Sequence, residues 1–304
     1  MKLKTKNLLT LSELSQKEFS QIIDFSIKLK KELKNGGNKP LLKNKTLTMI
    51  FQKPSTRTRI SFEIGMFQLG GHAINLSSDE MQLSRGESIE DTAKTLSRYT
   101  DCIMARVYDH DLLEKLSEHS SVPVINGLSD SFHPCQILAD VMTIKEKKKK
   151  LKGLKIAWIG DGNNVCNSMI YGCALTEMKM SIATPKGFEP KKKVVNEARK
   201  FTEIEISNDP LKTITNADVV VTDTFTSIHN RDPKRTKKFL PKYQVNSNLM
   251  KHAKKNAIFM HCLPAKRGSE VTSSVIDGSQ SVIWDEAENR LHTQKALLAF
   301  LIRA

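Results

Sequence analysis

The stretch TLTMIFQKPSTRTR, residues 46–59, decides the fold. Its first six residues are an apolar run rich in β-formers, short enough for one buried strand. Gln52, Lys53 and Pro54 break that run. Ser55 to Arg59 then lead into Ile60, Ile64 and Phe67, which repeat at helical spacing. A strand that passes through a short polar turn into a helix is half of a βαβ unit, and such units build parallel sheets covered by helices.

The same alternation extends outward from this stretch. Strand-like runs occur at 72–76, 102–107 and 122–125, with helical spacing between them, as at Ile89, Ala93 and Leu96. Upstream, Ser15 and Glu18 form a capping box ahead of Phe19, Ile22, Ile23 and Leu33, and Asn35-Gly-Gly37 ends that helix. A second series of strand-like runs lies at 154–159, 180–183, 217–222 and 257–260. Residues 289–304 read as a closing helix. Two series predict two α/β domains with parallel sheets, divided within residues 143–152. We place the first domain at 1–145 and the second at 146–288.

Composition narrows the class. The chain has 304 residues, enough for two domains, and is 39% hydrophobic, enough for real cores. No apolar run reaches the length of a membrane span, and no apolar stretch follows the first lysines as a secretory signal would require. The five cysteines, Cys102, Cys135, Cys166, Cys173 and Cys262, are odd in number and scattered, with no C-x-x-C. That usage suits a reducing compartment, so a cytoplasmic protein is expected. The formal charge of +15 raises nucleic-acid binding. The lysines are dispersed, however, and the dense run Lys147–Lys150 reads as a solvated helix end. Scarce aromatics offer no base-stacking platform, so no nucleic-acid partner is expected.

Ligands of parallel α/β sheets lie beyond the carboxyl ends of the strands. Residues 52–59 sit at such an end. A helix N-terminus offers unpaired backbone N–H groups and a positive dipole. Ser55, Thr56 and Thr58 add hydroxyls, and Arg57 adds a planar fork matched to phosphate oxygens. Together they predict a phosphate site rather than a plain helix cap. Arg106 ends the 102–107 strand, and His133-Pro-Cys-Gln136 follows the next, so both are expected on the same sheet edge.

In the second half, residues 154–164 read as a strand followed by Gly160-Asp-Gly-Asn-Asn164. The Gly-x-Gly turn suggests a dinucleotide site, but Val165 stands where a third glycine is needed. The strand at 180–183 ends in Thr184-Pro185, with no acid to hold a ribose. No organic cofactor is expected. Asp223-Thr-Phe-Thr-Ser227 follows the 217–222 strand, where a carboxylate can meet a cationic amine. Met260-His-Cys-Leu-Pro264 follows 257–260. Paired with His133 and Cys135 it suggests zinc, but the spacing is not that of zinc ligands, and no metal is expected. A thiol at that strand end, close to basic groups, is a candidate reactive group.

Ser55-Thr-Arg-Thr-Arg59, His133-Pro-Cys-Gln136 and His261-Cys-Leu-Pro264 together resemble the aspartate/ornithine carbamoyltransferase family. Gly160-Asp-Gly-Asn-Asn164 and Asp285-Glu-Ala-Glu-Asn-Arg290 resemble its ornithine branch, and the similarity runs in order along nearly the whole chain. The resemblance implies a first domain for carbamoyl phosphate, a second for the amine, and a last helix that packs back on the first. It implies transfer of a carbamoyl group to ornithine without a cofactor, in a homotrimer or a multiple of one. By motif, Ser55, Thr56, Arg57 and Thr58 hold the phosphate, and Arg106 bridges phosphate and carbonyl. His133 and Gln136 hold the carbamoyl group, and Gln82 reaches a neighbouring subunit's site. Asn164, Asp223 and Ser227 bind the ornithine backbone groups, with Ile228 in main-chain contact. Cys262, Leu263 and Arg290 close the site around the reacting centre. Arg57, Arg106, His133 and Cys262 are the expected catalytic residues. The branch usually reads Ser-Met-Gly where this chain reads Ser227-Ile-His229, so putrescine or an N-acylated ornithine stay open as acceptors, as does a catalytically silent member of the family.

Overall fold

A computed structural model describes residues 3–226 and 233–302. The chain divides into two compact units, residues 1–142 with 288–304, and residues 143–287.

The first unit opens on α1 (Gln16–Lys34). The Ser15 hydroxyl accepts from the Glu18 N–H, and the Glu18 carboxylate accepts from the Ser15 N–H at 3.0 Å, so the expected capping box is formed. Phe19, Ile22, Ile23 and Leu29 are buried, and the helix stops at Asn35 before two glycines at φ +115. There follow β1 (Thr46–Phe51), α2 (Thr56–Gln68), β2 (His72–Ser77), α3 (Ile89–Leu96), β3 (Cys102–Arg106), α4 (His110–His119), β4 (Val124–Leu128) and α5 (Pro134–Lys148). The strands form one parallel sheet in the order β2-β1-β3-β4. Phe51 pairs with Arg106, and Arg106 with Leu128, so three strands end level and their polar continuations emerge at one edge.

One strand is displaced from its expected place. The sequence suggests 122–125, whereas β4 starts at Val124 and runs to Leu128. Pro123 has no N–H to donate to the ladder, and its carbonyl accepts the Ile103 N–H at 2.9 Å. Asn126-Gly127 looks like a turn but is strand. A Cβ on Gly127 would stand 2.4 Å from the Met104 sulfur, so any larger residue there would have to displace that side chain.

The second unit contains β5 (Lys155–Ile159), α6 (Asn164–Thr176), β6 (Lys179–Ala183), α7 (Lys192–Ala198), β7 (Ile204–Ser207), α8 (Pro210–Ile214), β8 (Val219–Val221), α9 (Pro233–Thr236), α10 (Ser247–Met250), β9 (Ile258–Met260) and α11 (Ser273–Ile276). Its sheet is also parallel, in the order β7-β6-β5-β8-β9. The edge strand β7 is absent from the sequence expectation, because Ile204-Glu-Ile-Ser207 carries only two apolar residues.

The chain closes with α12 (Ile283–Ile302), six residues earlier than expected. Its polar opening, with Asp285 and Glu286 in the first turn, suits the positive end of a helix. From residue 288 onward α12 belongs to the first unit, where Lys295 Nζ donates to Asn38 Oδ1 and Gln68 Oε1. No described helix is long and apolar enough to cross a membrane.

Candidate functional site

In the first unit the site grows from the β1–α2 turn. Ser55 is the N-cap residue of α2, and its side chain does not cap the helix. Gln52 secures the turn beside β3: its N–H donates to the Arg106 carbonyl at 3.0 Å, and its Oε1 accepts from the Tyr108 N–H at 2.8 Å. Ser55 and Arg57 are half-buried, Thr56 is exposed, and Thr58 is buried.

Arg290, on α12, is 2% exposed. Its Nη1 donates to Gln136 Oε1 at 2.6 Å and its Nη2 to Thr58 Oγ1 at 3.2 Å. Gln136 Nε2 in turn donates to the buried Asp140 carboxylate at 2.8 Å. The amide is therefore oriented from both ends, carbonyl toward the arginine. His133, one turn earlier, is buried. Burial first, then the guanidiniums of Arg290, Arg106 and Arg57, hold its imidazole well below the usual range. At neutral pH His133 is an uncharged ring surrounded by three cations. Concentrated positive charge of this kind, with a neutral donor in its midst, is built for a small dianion. Gln82 lies apart in sequence, exposed at the start of a 3-10 turn, Gln82–Arg85.

In the second unit, β5 ends in Gly160-Asp161-Gly162. A Cβ on Gly162 would lie 2.3 Å from the Pro190 nitrogen, so the turn tolerates only glycine there. Asn163 caps α6 through its Oδ1, while its Nδ2 donates to Asp223 Oδ2 at 2.7 Å. Asn164 is buried in the first turn of α6. Asp223 follows β8, and its Oδ1 accepts from the Cys262 thiol at 3.3 Å. Asn163, Asp223 and Cys262 thus form one polar chain. Ser227 and Ile228 lie outside the described residues.

The strand β9 delivers His261, Cys262 and Leu263. His261 Nδ1 accepts from the Leu263 N–H at 2.9 Å, which places the ring proton on Nε2, facing Glu270 Oε1 at 3.3 Å. Burial pushes the Glu270 carboxyl up, but hydrogen bonds from His261 and the Lys266 N–H outweigh it and bring the group below its usual range. Leu263 is thereby held at φ +57, which few non-glycine residues adopt. Asp223, His261 and Cys262 bring metal-ligand atoms within 4.8 Å of one another. Both His261 nitrogens are engaged with protein groups, leaving a thiol and a carboxylate, a thin set for zinc.

Thr58, Gln136 and Arg290, all expected at the site, meet within the first unit, as Asp223 and Cys262 do within the second, but most of the groups that orient them are not among the expected residues. Asp140, Gln52 and Glu270 carry no motif signal. Asn163 alone had one, as an N-cap residue before an apolar helix.

Two family descriptions match the chain. "Aspartate/ornithine carbamoyltransferase, carbamoyl-P binding domain" covers residues 6–146, and "Aspartate/ornithine carbamoyltransferase, Asp/Orn binding domain" covers residues 152–301. The chain belongs to the aspartate/ornithine carbamoyltransferase family. Within it, the chain is 59% identical to the ornithine carbamoyltransferase of Cenarchaeum symbiosum over 99% of both chains. The structure of ornithine carbamoyltransferase from Pyrococcus furiosus superposes with a TM-score of 0.94 at 50% identity, covering 98% of this chain and 97% of that one. The enzyme of the same name from Thermus thermophilus gives 0.91 at 40% identity, with coverage of 98% and 99%.

Proposed function

We propose that this chain transfers the carbamoyl group of carbamoyl phosphate to the side-chain amine of L-ornithine, giving L-citrulline and phosphate. The observation that carries the reading is the buried bridge from Arg290 to Thr58 and Gln136, beside a His133 kept neutral by burial and by three arginines. The like names of relatives along the full length of the chain support the acceptor.

In this reading Ser55, Thr56, Arg57 and Thr58, with the N-terminus of α2, take the phosphate. Arg106 spans phosphate and carbonyl oxygen. His133 donates its one N–H to the carbonyl, and Gln136 meets the carbamoyl amide. The neutral amine attacks the carbonyl carbon, the C–N bond forms, and negative charge moves to the carbonyl oxygen. Arg106, His133 and Thr58 stabilise that oxyanion, each donor of this kind contributing about 2.7–4 kcal/mol. The C–O bond to phosphate then breaks, and Arg57 takes up the charge of the leaving group. Asn164 and Asp223, with Ser227 and Ile228, hold the α-amino and carboxyl groups of ornithine. Cys262 and Leu263 are assigned to the carbamoyl end, and the Cys262–Asp223 pair favours loss of the amine's proton.

We place the reaction in the cytoplasm, in keeping with five unbridged thiols. We also assign the chain to a homotrimer, to which Gln82 contributes across subunits. The face of α2 that carries Ile60, Ile64 and Phe67 is exposed, and β2 is a sheet edge with Ile74 exposed, a surface suited to burial between copies. The test is a citrulline assay on the purified chain with ornithine, putrescine, N-acetylornithine and aspartate offered in parallel. Turnover with ornithine alone is expected, and Arg57→Ala should lower kcat by about 10²–10³. Activity of the variant within a fewfold of wild type would sink the phosphate clamp.

A further inference from the structure

Arg235 belongs to none of the motifs above, yet it is only 19% exposed and is paired with the buried Asp161. Its Nη2 donates to Asp161 Oδ2, and its Nε donates to the Phe225 carbonyl at 3.0 Å. The guanidinium lies over the Phe188 ring, 4.5 Å from its centre. Phe225 stacks on Phe239 with centroids 4.5 Å apart, and Gly160 packs against the Phe225 ring, where a Cβ would stand at 3.3 Å. One planar fork therefore joins two segments distant in sequence: the Gly160-Asp161-Gly162 turn and the main chain just after Asp223.

Those segments carry the groups assigned above to the amino-acid end of the acceptor. Asn163 and Asn164 follow the turn directly. Asp223 stands two residues before Phe225 and meets Asn163 at 2.7 Å. We propose that Arg235 is a positioning residue for the acceptor amine: by holding Asp161 and the Phe225 carbonyl together, it fixes the distance between the Asn163–Asn164 pair and Asp223. The proposal rests on the carbamoyltransferase reading and extends it to a residue that touches no substrate.

A lysine cannot reproduce the fork, since a point charge cannot serve both acceptors in one plane. A bare Asp161, in turn, would be a buried charge without its partner, which threatens folding in a single variant. The double variant R235M/D161N removes the fork without leaving that charge.

The experiment compares wild type, R235K, R235M and R235M/D161N. The amine KM of R235M and of the double variant should rise about 10- to 100-fold, with kcat within about threefold. Carbamoyl phosphate affinity, measured by calorimetry, should stay within about twofold. R235K should fall between wild type and R235M. A parallel loss of both substrates, or a loss in kcat with KM unchanged, would overturn the proposal. A second readout needs no turnover. Trp158 Nε1 donates to the Asp161 carbonyl at 2.9 Å, and the other tryptophan, Trp284, is removed by W284F. In that background R235M should make Trp158 more open to acrylamide quenching. Quenching equal to the parent would overturn the inference whatever the activity. Absence of wild-type turnover with every acceptor would instead overturn the underlying reading.

Discussion

Gln136, which we assign to the carbamoyl amide, is held from both ends. Arg290 on its carbonyl and Asp140 on its amide leave one orientation. Asp140→Ala should free the amide to turn, and weaken carbamoyl phosphate binding by about 1.5–3 kcal/mol, the scale of a hydrogen bond to a charged group; calorimetry reads it directly. His133 makes a pH prediction. Its folded pKa is depressed by burial and three arginines, while the unfolded chain keeps the ordinary value of 6.5. Below that value the unfolded state binds a proton that the folded state refuses, so stability falls as pH drops, and the gain is complete only above it. Carbamoyl phosphate affinity should show no imidazole inflection between about pH 6 and 8. An inflection there that vanished in His133→Gln would mean that the ring titrates in the fold. The cysteines separate as clearly. Burial pushes the Cys135 thiol up to about 12 and raises Cys102, Cys166 and Cys173 as well, whereas Cys262 is half-buried. Ellman's reagent should titrate one thiol in the native chain and none in Cys262→Ser.

Among the elements, α12 is the least legible from sequence and the most consequential. Its first turns are charged, so the apolar pattern from Leu291 onward suggested too late a start. Arg290 was expected at a helix opening and instead sits two turns in, where the helix is rigid. Strands β1, β5 and β9 were legible because buried parallel strands are unbroken apolar runs. The edge strand β7 and the proline-led β4 lack that signature, and their place is set by neighbours. The candidate site residues could be read because phosphate chemistry demands particular side chains at strand ends. Their supports could not, since a carboxylate such as Asp140 resembles any other until the fold brings it to Gln136. Lys295 gives α12 a test of its own. Burial lowers its ammonium to about 8 from 10.5. Between those values the folded chain sheds a proton that the unfolded chain keeps, so stability rises with pH across that window. Relative to Lys295→Met, wild type should gain stability from about pH 8 to 10.5 in urea titrations. A constant difference would mean that the amine stays charged.

For the molecule as a whole, the exposed Ile60, Ile64 and Phe67 face predicts association. Phe67→Glu with Ile64→Arg should yield a monomer by sedimentation, with activity lost in step if Gln82 serves a neighbour's site. A variant that sedimented as the wild type does would place any interface elsewhere. The net charge of +15 bears on encounter, since a positive surface draws in a phosphorylated substrate, and kcat/KM for carbamoyl phosphate should fall with added salt more than kcat does.

The division of the chain also orders events during synthesis. Residues 143–287 form a continuous block, whereas the first unit needs segments that lie before and after that block. On a ribosome adding about 5–20 residues per second, the second unit has all its parts before the first does. Arg290 and Lys295 emerge only after the whole of residues 143–287, so the N-terminal sheet waits, without the Arg290 bridge to Thr58 and Gln136, until α12 has been made. A nascent chain stalled short of α12 should already protect β5, β6 and β8 from protease, yet be unable to retain carbamoyl phosphate.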